Sequence, residues 1–363
     1  MKAAVLKQFG SPLAIETLPE PVLGTGEVIV DVMASRVLAY ANEVLSGERK
    51  YLMELPIVPG VGAIGRIRAT GPDATHLARG DWVYCDPTIR SRDNAQSPDI
   101  ILQGLTAADQ KALPLQRYFH DGAWAGQMRL PTENATPIGD IAEPDAARWC
   151  AMGTLLVPYG GFLAAQLQAG ETVLVNGATG GFGSAAVAVA LGMGAACVIA
   201  TGRNEKALAD LARRLGPRVL AVAMQGDEEA DRQRILQTVP GPIDCVLDIL
   251  PPAAKANQVR TAIMAVRPYG RVVLMGGVGM LGGAGLDLPY PWMMRNCIML
   301  RGQWMYPPHA ALLMAGLIRA GLIDLGQFEV TSFALDDANA AVAHAAGNAG
   351  PFRMTVIEPP RSR

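Results

Sequence analysis

TVLVNGATGGFG, residues 172–183, is the stretch on which the reading of this chain turns. Its β-branched opening predicts a buried strand over Thr172–Asn176. Gly177, Ala178, Thr179, Gly180, Gly181, Phe182 and Gly183 then form a tight glycine-rich turn. Small residues over 184–193 predict a helix, and 197–200 a second buried strand. In that order, glycines let the backbone approach a pyrophosphate closely, and the free N–H groups of the following helix face the anion. The plainer reading, a glycine-rich turn that binds nothing, fits the spacing less well.

Outward from the turn, the second strand ends in Ala200-Thr201-Gly202-Arg203-Asn204. A site for NAD commonly has an acid here, gripping the ribose 2′-hydroxyl. Gly202 holds that place and Arg203 follows, which removes a repulsion and offers a partner to a 2′-phosphate. NADP(H) is therefore the expected cofactor. The alternative is that Arg203 is a solvated residue capping the next helix. Further strands are predicted at Val219–Ala223, 243–249 and 271–275, with helices over Glu205–Leu215, Glu228–Thr238 and 253–266. Strands alternating with helices mean a doubly wound parallel sheet of right-handed βαβ units. The candidate cofactor residues are Asn176 to Gly183, Thr201, Gly202, Arg203, and Gly276 and Gly277 after the 271–275 strand.

Before this region the chain reads as β-rich, with strands over 27–33, 65–69 and Trp82–Cys85 among Gly and Pro punctuation. Residues 86–121 are polar and read as a long surface insertion, with a short helix over 107–113. After the parallel region come helices over 310–320 and 337–346 and strands over 329–333 and 353–357. The 363 residues suit two domains. Half the residues are apolar, 18 % are charged and the net charge is -2. That excludes a disordered chain and gives no general attraction to nucleic acid or anionic membrane. Five Cys without a CxxC pair argue against a disulfide framework or a four-Cys zinc lobe. The opening MKAAVLKQFG lacks the apolar run of a signal peptide, so a cytoplasmic location is expected. Residues 184–202 carry no charge and are long enough to span a bilayer. Gly192 and Gly194 interrupt them, and a buried helix leading into a buried strand explains the same letters.

The chain resembles the medium-chain dehydrogenase/reductase superfamily, in particular its zinc-free quinone-oxidoreductase-like branch. The resemblance is carried by MKAAVL at the start, Gly26-Glu27-Val28, Ser46-Gly47, Pro56-Ile57-Val58-Pro59-Gly60, Gly80-Asp81-Trp82-Val83, Gly122-Ala123-Trp124-Ala125-Gly126, the nucleotide turn, and Gly270-Arg271-Val272-Val273. It implies a GroES-like β-barrel catalytic domain from residues 1–145 and 307–363, and a Rossmann NADP(H)-binding domain over 146–306. The active site would lie in a cleft between them, where Trp304, Met305 and Tyr306 either line the cleft or pack internally. A homodimer joined through the strand read over 297–304, at the edge of the Rossmann sheet, is also implied.

Departures from the family pattern decide the chemistry. Where the zinc branch has a catalytic Cys, nine residues before Gly47, this chain has Leu38. Where it has His-Glu after Pro-Gly, Val61-Gly62 follow Pro59-Gly60. Around the third ligand position only Cys150 has a metal-binding side chain, and 86–121 contains no Cys for a structural zinc. A catalytic zinc needs three protein ligands. His76, His120, His309 and His344 are scattered, so a metal-free protein is expected. The zinc-free branch often shows Asn-Pro at Leu38-Ala39, a Tyr at Arg49 and an acid at Gly62.

Without a metal, the acceptor is polarised by hydrogen bonds alone, which suits quinones and α,β-unsaturated carbonyls. The expected function is NADPH-dependent hydride transfer to such a small molecule. Alternatives are a zinc-free alcohol dehydrogenase or carbonyl reductase, and a non-catalytic nucleotide-binding protein. Tyr40 lies two residues after Leu38, where zinc-dependent relatives place a hydroxyl against the substrate oxygen. It is the candidate proton donor, with Asn42 and Tyr51 as helpers. Tyr40 acting simply as packing is the competing reading.

Overall fold

A computed structural model describes residues 1–360. The described chain divides into two compact units: residues 1–153 with 328–349 and 353–360, and residues 154–327 with 350–352.

In the second unit, Thr172–Asn176 is the central strand of a six-stranded sheet. The strand order is Val219–Ala223, Cys197–Gly202, Thr172–Asn176, Cys245–Asp248, Arg271–Leu274, Met299–Gly302. Every neighbouring pair is parallel. The order reverses direction at the central strand, which is the switch point of a doubly wound sheet. Leu174, Ile199, Val246 and Val272 pack with helix residues Val259, Ala262 and Ile263 in one core. Helices Glu205–Leu215 and Glu228–Thr238 have the predicted bounds because their caps are local: Asn204 accepts from the Ala207 N–H at 3.0 Å, and Asp227 from the Ala230 N–H at 2.8 Å.

The uncharged stretch 184–202 resolves as the sequence pattern suggests. A helix spans Gly181–Gly192, the chain turns at Gly194 with φ +96°, and the strand Cys197–Gly202 follows. Among the described residues, no helix is long and apolar enough to cross a membrane. Other elements are trimmed relative to the pattern. The helix read over 253–266 spans Ala256–Ile263, after Pro251 and Pro252 delay its start. The strand read over 297–304 keeps only Met299–Gly302, since Cys297 adopts φ +52°. Of the residues that follow, Trp304 is exposed and Tyr306 is buried.

The first unit is built on the strand Glu27–Val37, four residues longer than predicted. It pairs antiparallel with Ala63–Thr70, Gln127–Pro131 and the returning chain end Arg353–Glu358. Trp82–Cys85, Ala135–Pro137 and Glu329–Ala334 complete a seven-stranded sheet. Val28, Val30 and Val32 alternate onto one face and pack with Ile67, Val83, Met128 and Leu130. Register shifts at Ile29/Val30 and Val32/Ala34 let the long strand bend. Gly65 sits opposite, where a Cβ would collide with the Asp31 carbonyl and Val30.

The reading of 86–121 as an irregular surface insertion is corrected. Thr88–Arg90, Ile100–Leu102 and Thr106–Ala107 form a three-stranded sheet. The helix expected over 107–113 begins later, as a 3₁₀ turn at Gln110–Ala112 and an α-helix at Leu113–Tyr118. Asp109 sets that start by accepting from the Lys111 N–H at 2.8 Å. Ile89, Ile101, Ala107, Ala112 and Phe119 form a separate small core. Strands of two or three residues are too short for alternation to show in a polar segment.

Candidate active site

The nucleotide turn is held by contacts that only glycine permits. Gly177 adopts φ +97°. A Cβ on Gly183 would collide with the Gly177 carbonyl oxygen, so glycine lets the helix start close against the strand end. A Cβ on Gly202 would fall 2.6 Å from the Thr179 side chain. The Ala178 N–H donates to the Thr201 carbonyl at 2.8 Å, which joins the turn to the second strand. Gly180 is exposed, Gly181 and Phe182 are half-buried, and no atom outside the turn lies closer than 3.8 Å to a Cβ built at Gly180 or Gly181. That open cradle at a helix start fits a dinucleotide pyrophosphate. Arg203 is exposed and has no ion-pair partner among the described residues; the helix cap that the alternative reading gave it falls to Asn204.

Beneath the turn lies a polar cluster whose centre, Asp248, the sequence reading passed over. Thr201 Oγ1 donates to Asn176 Oδ1 at 2.9 Å, and Asn176 Nδ2 donates to Asp248 Oδ1 at 2.7 Å and to the Gln258 carbonyl at 3.2 Å. Gly276 packs so closely that its Cβ would sit 2.8 Å from Asp248 Oδ2. Gly277 donates from its N–H to the Leu250 carbonyl at 2.8 Å. Burial pushes the Asp248 carboxyl up to about 7, against the hydrogen bonds from Asn176 and the Leu250 N–H. An acid ending an otherwise apolar strand, Cys245–Asp248, was the available signal.

In the first unit, Leu38 and Val61 are buried and line one apolar pocket with Ala41, Val44 and Leu105. The Pro-Gly motif shapes it. The Gly122, Ala123 and Trp124 N–H groups donate to the carbonyls of Val58, Gly60 and Pro59 at 2.7, 3.0 and 2.9 Å. Gly60, at φ +115°, accepts Trp124 so closely that a Cβ would meet the indole at 2.6 Å.

Tyr40 and Tyr51 come together, as expected. Their rings meet edge to face at 6.5 Å. Asn42 is exposed and does not join them. Arg49 was not a candidate, yet its guanidinium lies 4.0 Å from the Tyr40 ring centroid. It donates from Nε to Glu43 Oε2 at 2.8 Å. Burial and Tyr51 raise the Tyr40 phenol above its usual value, while Arg36 and Arg49 pull the other way. Tyr40 stays protonated at neutral pH and is available as a donor.

The side chains at the expected ligand positions do not fit a catalytic zinc. Leu38, Val61 and Gly62 present no ligating atom, and Cys150 is a buried thiol pushed up to about 12 by burial. Among the described residues, no three His, Cys, Asp or Glu side chains cluster as a metal site. Two of the four His have other partners: His120 lies 3.0 Å from Asp121, and His344 lies 3.0 Å from Thr355 Oγ1.

Comparison with known proteins agrees with this layout. The alcohol dehydrogenase GroES-like domain family matches residues 24–140, and the zinc-binding dehydrogenase family matches 181–316. An alcohol dehydrogenase of Geobacillus stearothermophilus is 30 % identical over 76 % of this chain and 77 % of its own. An acryloyl-coenzyme A reductase of Metallosphaera sedula is 30 % identical over 65 % of this chain and 68 % of its own. The crystal structure of a thermostable alcohol dehydrogenase from Pyrobaculum aerophilum superposes with a TM-score of 0.75 over 99 % of both chains, at 22 % identity. With a GroES-like unit, a Rossmann unit and relatives at this level, the chain belongs to the medium-chain dehydrogenase/reductase superfamily, a family of nucleotide-binding oxidoreductases.

Proposed function

We propose that this protein is an NADPH-dependent oxidoreductase that reduces a conjugated carbonyl or quinone without a metal, as in the quinone-oxidoreductase-like branch. The observation that carries the reading is the aliphatic pocket at Leu38 and Val61, where a zinc site would need ligands, with the half-buried tyrosine pair Tyr40 and Tyr51 close by in sequence. The glycine turn and the exposed Arg203 beside Gly202 favour a cofactor with a 2′-phosphate.

The reduced nicotinamide, when bound, supplies a hydride to the β-carbon of an enone. The electron pair then shifts from the C=C bond onto the carbonyl oxygen, and a proton must reach the resulting enolate. Tyr40 is the group to stabilise that oxygen and give up its proton. The Tyr51 ring packs edge-on against the Tyr40 ring, and Arg36 and Arg49 favour the tyrosinate that proton transfer would leave. Solvent returns the proton.

A second reading, reversible oxidation of a secondary alcohol, draws support from relatives named alcohol dehydrogenase. It would make stronger demands on Tyr40 as a base, because no metal lowers the alcohol pKa. NADPH consumption with quinones, enones, aldehydes and ketones distinguishes the two. Rates on quinones or enones that survive exhaustive chelation, in protein with less than one zinc per chain, are the expected result. Stoichiometric zinc, or loss of activity on chelation, overturns the metal-free reading. Tight NADPH binding without turnover on any acceptor leaves only a nucleotide-binding role.

A further inference from the structure

The ends of the parallel strands carry an ionisable side chain that the proposed chemistry leaves unused. Asp248 closes the strand Cys245–Asp248, beside the end of Thr172–Asn176 and against Gly276. It reaches the glycine turn through one amide. Asn176 precedes Gly177, whose φ of +97° starts the turn. The Asn176 Oδ1 accepts from Thr201 Oγ1, and its Nδ2 donates to Asp248 Oδ1 at 2.7 Å and to the Gln258 carbonyl. A carbonyl only accepts, so this amide has one orientation. The residue that enters the turn is thus held from both sides, by Thr201 and by Asp248. The backbone repeats the tie, with the Ile249 N–H donating to the Asn176 carbonyl at 3.0 Å. The surroundings of the carboxyl are uncharged. It is 2 % exposed, and Asn176, Leu250 and Gly276 beside it do not titrate. Charged residues on the elements around it are paired elsewhere or exposed. Arg271 pairs with Glu171, Arg260 with Glu228 and Arg267 with Asp244, while Lys255 and Arg203 are exposed.

We infer that Asp248 is a positioning residue of the cofactor site and that it works as the neutral acid: it holds Asn176, and so the entry to the glycine turn, without placing a charge beneath it, and the dinucleotide binds with uptake of a proton wherever the free protein has lost that proton. This rests on the cofactor part of the proposed function and not on its acceptor. An ionised carboxyl buried without a cation is costly. A pyrophosphate on the turn adds to that cost by like charge and by excluding water. Binding and protonation therefore favour each other, and by reciprocity affinity falls as the free protein ionises. Burial lifts this carboxyl to about 7, which puts the effect in the neutral range. A coupling of about 10-fold, within the usual range for linked sites, makes binding roughly 8-fold weaker at pH 9 than at pH 6. The same coupling gives uptake of about half a proton per chain at pH 7.5.

The test titrates the full chain with NADPH by calorimetry at pH 6, 7.5 and 9, using both phosphate and Tris at pH 7.5. The two buffers differ in ionisation enthalpy, so a proton taken up on binding separates their heats. The parent should show that uptake and the loss of affinity toward pH 9. Asp248→Asn is neutral at every pH and keeps an acceptor oxygen for Asn176. It should bind like the parent at pH 6, lose most of the uptake, and bind several-fold tighter than the parent at pH 9. Titrations of the 2′-phosphate and of other side chains are common to both proteins and cancel. Asp248→Ala also removes the acceptor, so it should weaken NADPH several-fold even at pH 6, where charge plays no part. No uptake in the parent at pH 7.5, or equal uptake and pH slope in the parent and Asp248→Asn, overturns the inference and leaves the proposed function standing. If Asp248→Asn does not fold, the parent's heats in the two buffers decide alone. Proton-linked binding without reduction of any quinone or enone removes the proposed function and keeps the role of Asp248. Absence of NADPH binding at every pH removes both.

Discussion

Asp248 gives the sharpest test of the second unit. Its carboxyl is buried at 2 % exposure and moves from the ordinary 3.8 to about 7, with burial as the largest cause. Its neighbours are Asn176, the Leu250 N–H and Gly276, and no cation is among the causes of its shift. The sign follows from linkage. Between those two values the folded chain holds a proton that the unfolded chain has released. Stability from this group therefore falls as pH rises from about 4 to about 7, then levels off. Over pH 5 to 8 the loss is about 2–3 kcal/mol, from RT times the difference in the two titration curves. Asp248→Asn removes the ionisation and keeps the shape. It retains one acceptor oxygen, so it loses at most one of the two hydrogen bonds, at a cost of about 1 kcal/mol at either pH. The assay is urea unfolding of both proteins at pH 5 and pH 8. The variant should gain about 2–3 kcal/mol on the parent between the two, because titrations common to both cancel. A constant difference at the two pH values would refute the buried, uncompensated carboxyl and the packing that produces it.

Three further outcomes are expected. Arg203→Ala should weaken NADPH roughly 10- to 100-fold, the scale of a charged hydrogen bond, with little change for NADH; equal losses in direct titrations would remove the 2′-phosphate role. Tyr40→Phe keeps the edge contact with Tyr51 but loses the hydroxyl. Steady-state kcat should drop roughly 100-fold while NADPH affinity holds, and near-normal turnover would return Tyr40 to packing. The strand Met299–Gly302 is an outer strand of its sheet, with Met299 54 % exposed and Trp304 and Met294 also exposed. An apolar edge of this kind calls for a partner strand, so sedimentation should give a dimer that Met299→Lys weakens; a parent protein that is monomeric at micromolar concentration would reject the pairing.

Local order is what the sequence determined by itself. Strand, glycine turn and helix at 172–192 follow from period, β-branching and glycine content, all properties of neighbours in the chain. Glu205–Leu215 was legible to the residue because Asn204 and the Gly216 stop are local signals. That Leu38 and Val61 offer no lone pair to a metal is likewise a property of the letters alone. Tertiary structure decided the rest, because burial and proximity belong to residues far apart in the chain. The 88–119 subdomain closes on Ile89, Ile101 and Phe119, which share no short period. Tyr40 acquires its partners only when the chain returns at 49–51. Asp248 becomes a neutral acid near pH 7 only because Asn176, on the neighbouring strand, and Gly276 shut out water. Arg36 and Trp124, 88 positions apart, share the wall of the apolar pocket because the N–H groups of 122–124 hydrogen-bond to the Pro59-Gly60 segment. A side chain's chemistry can be read from its letter; its protonation state and its partners depend on how water is excluded around it, and that is settled by packing.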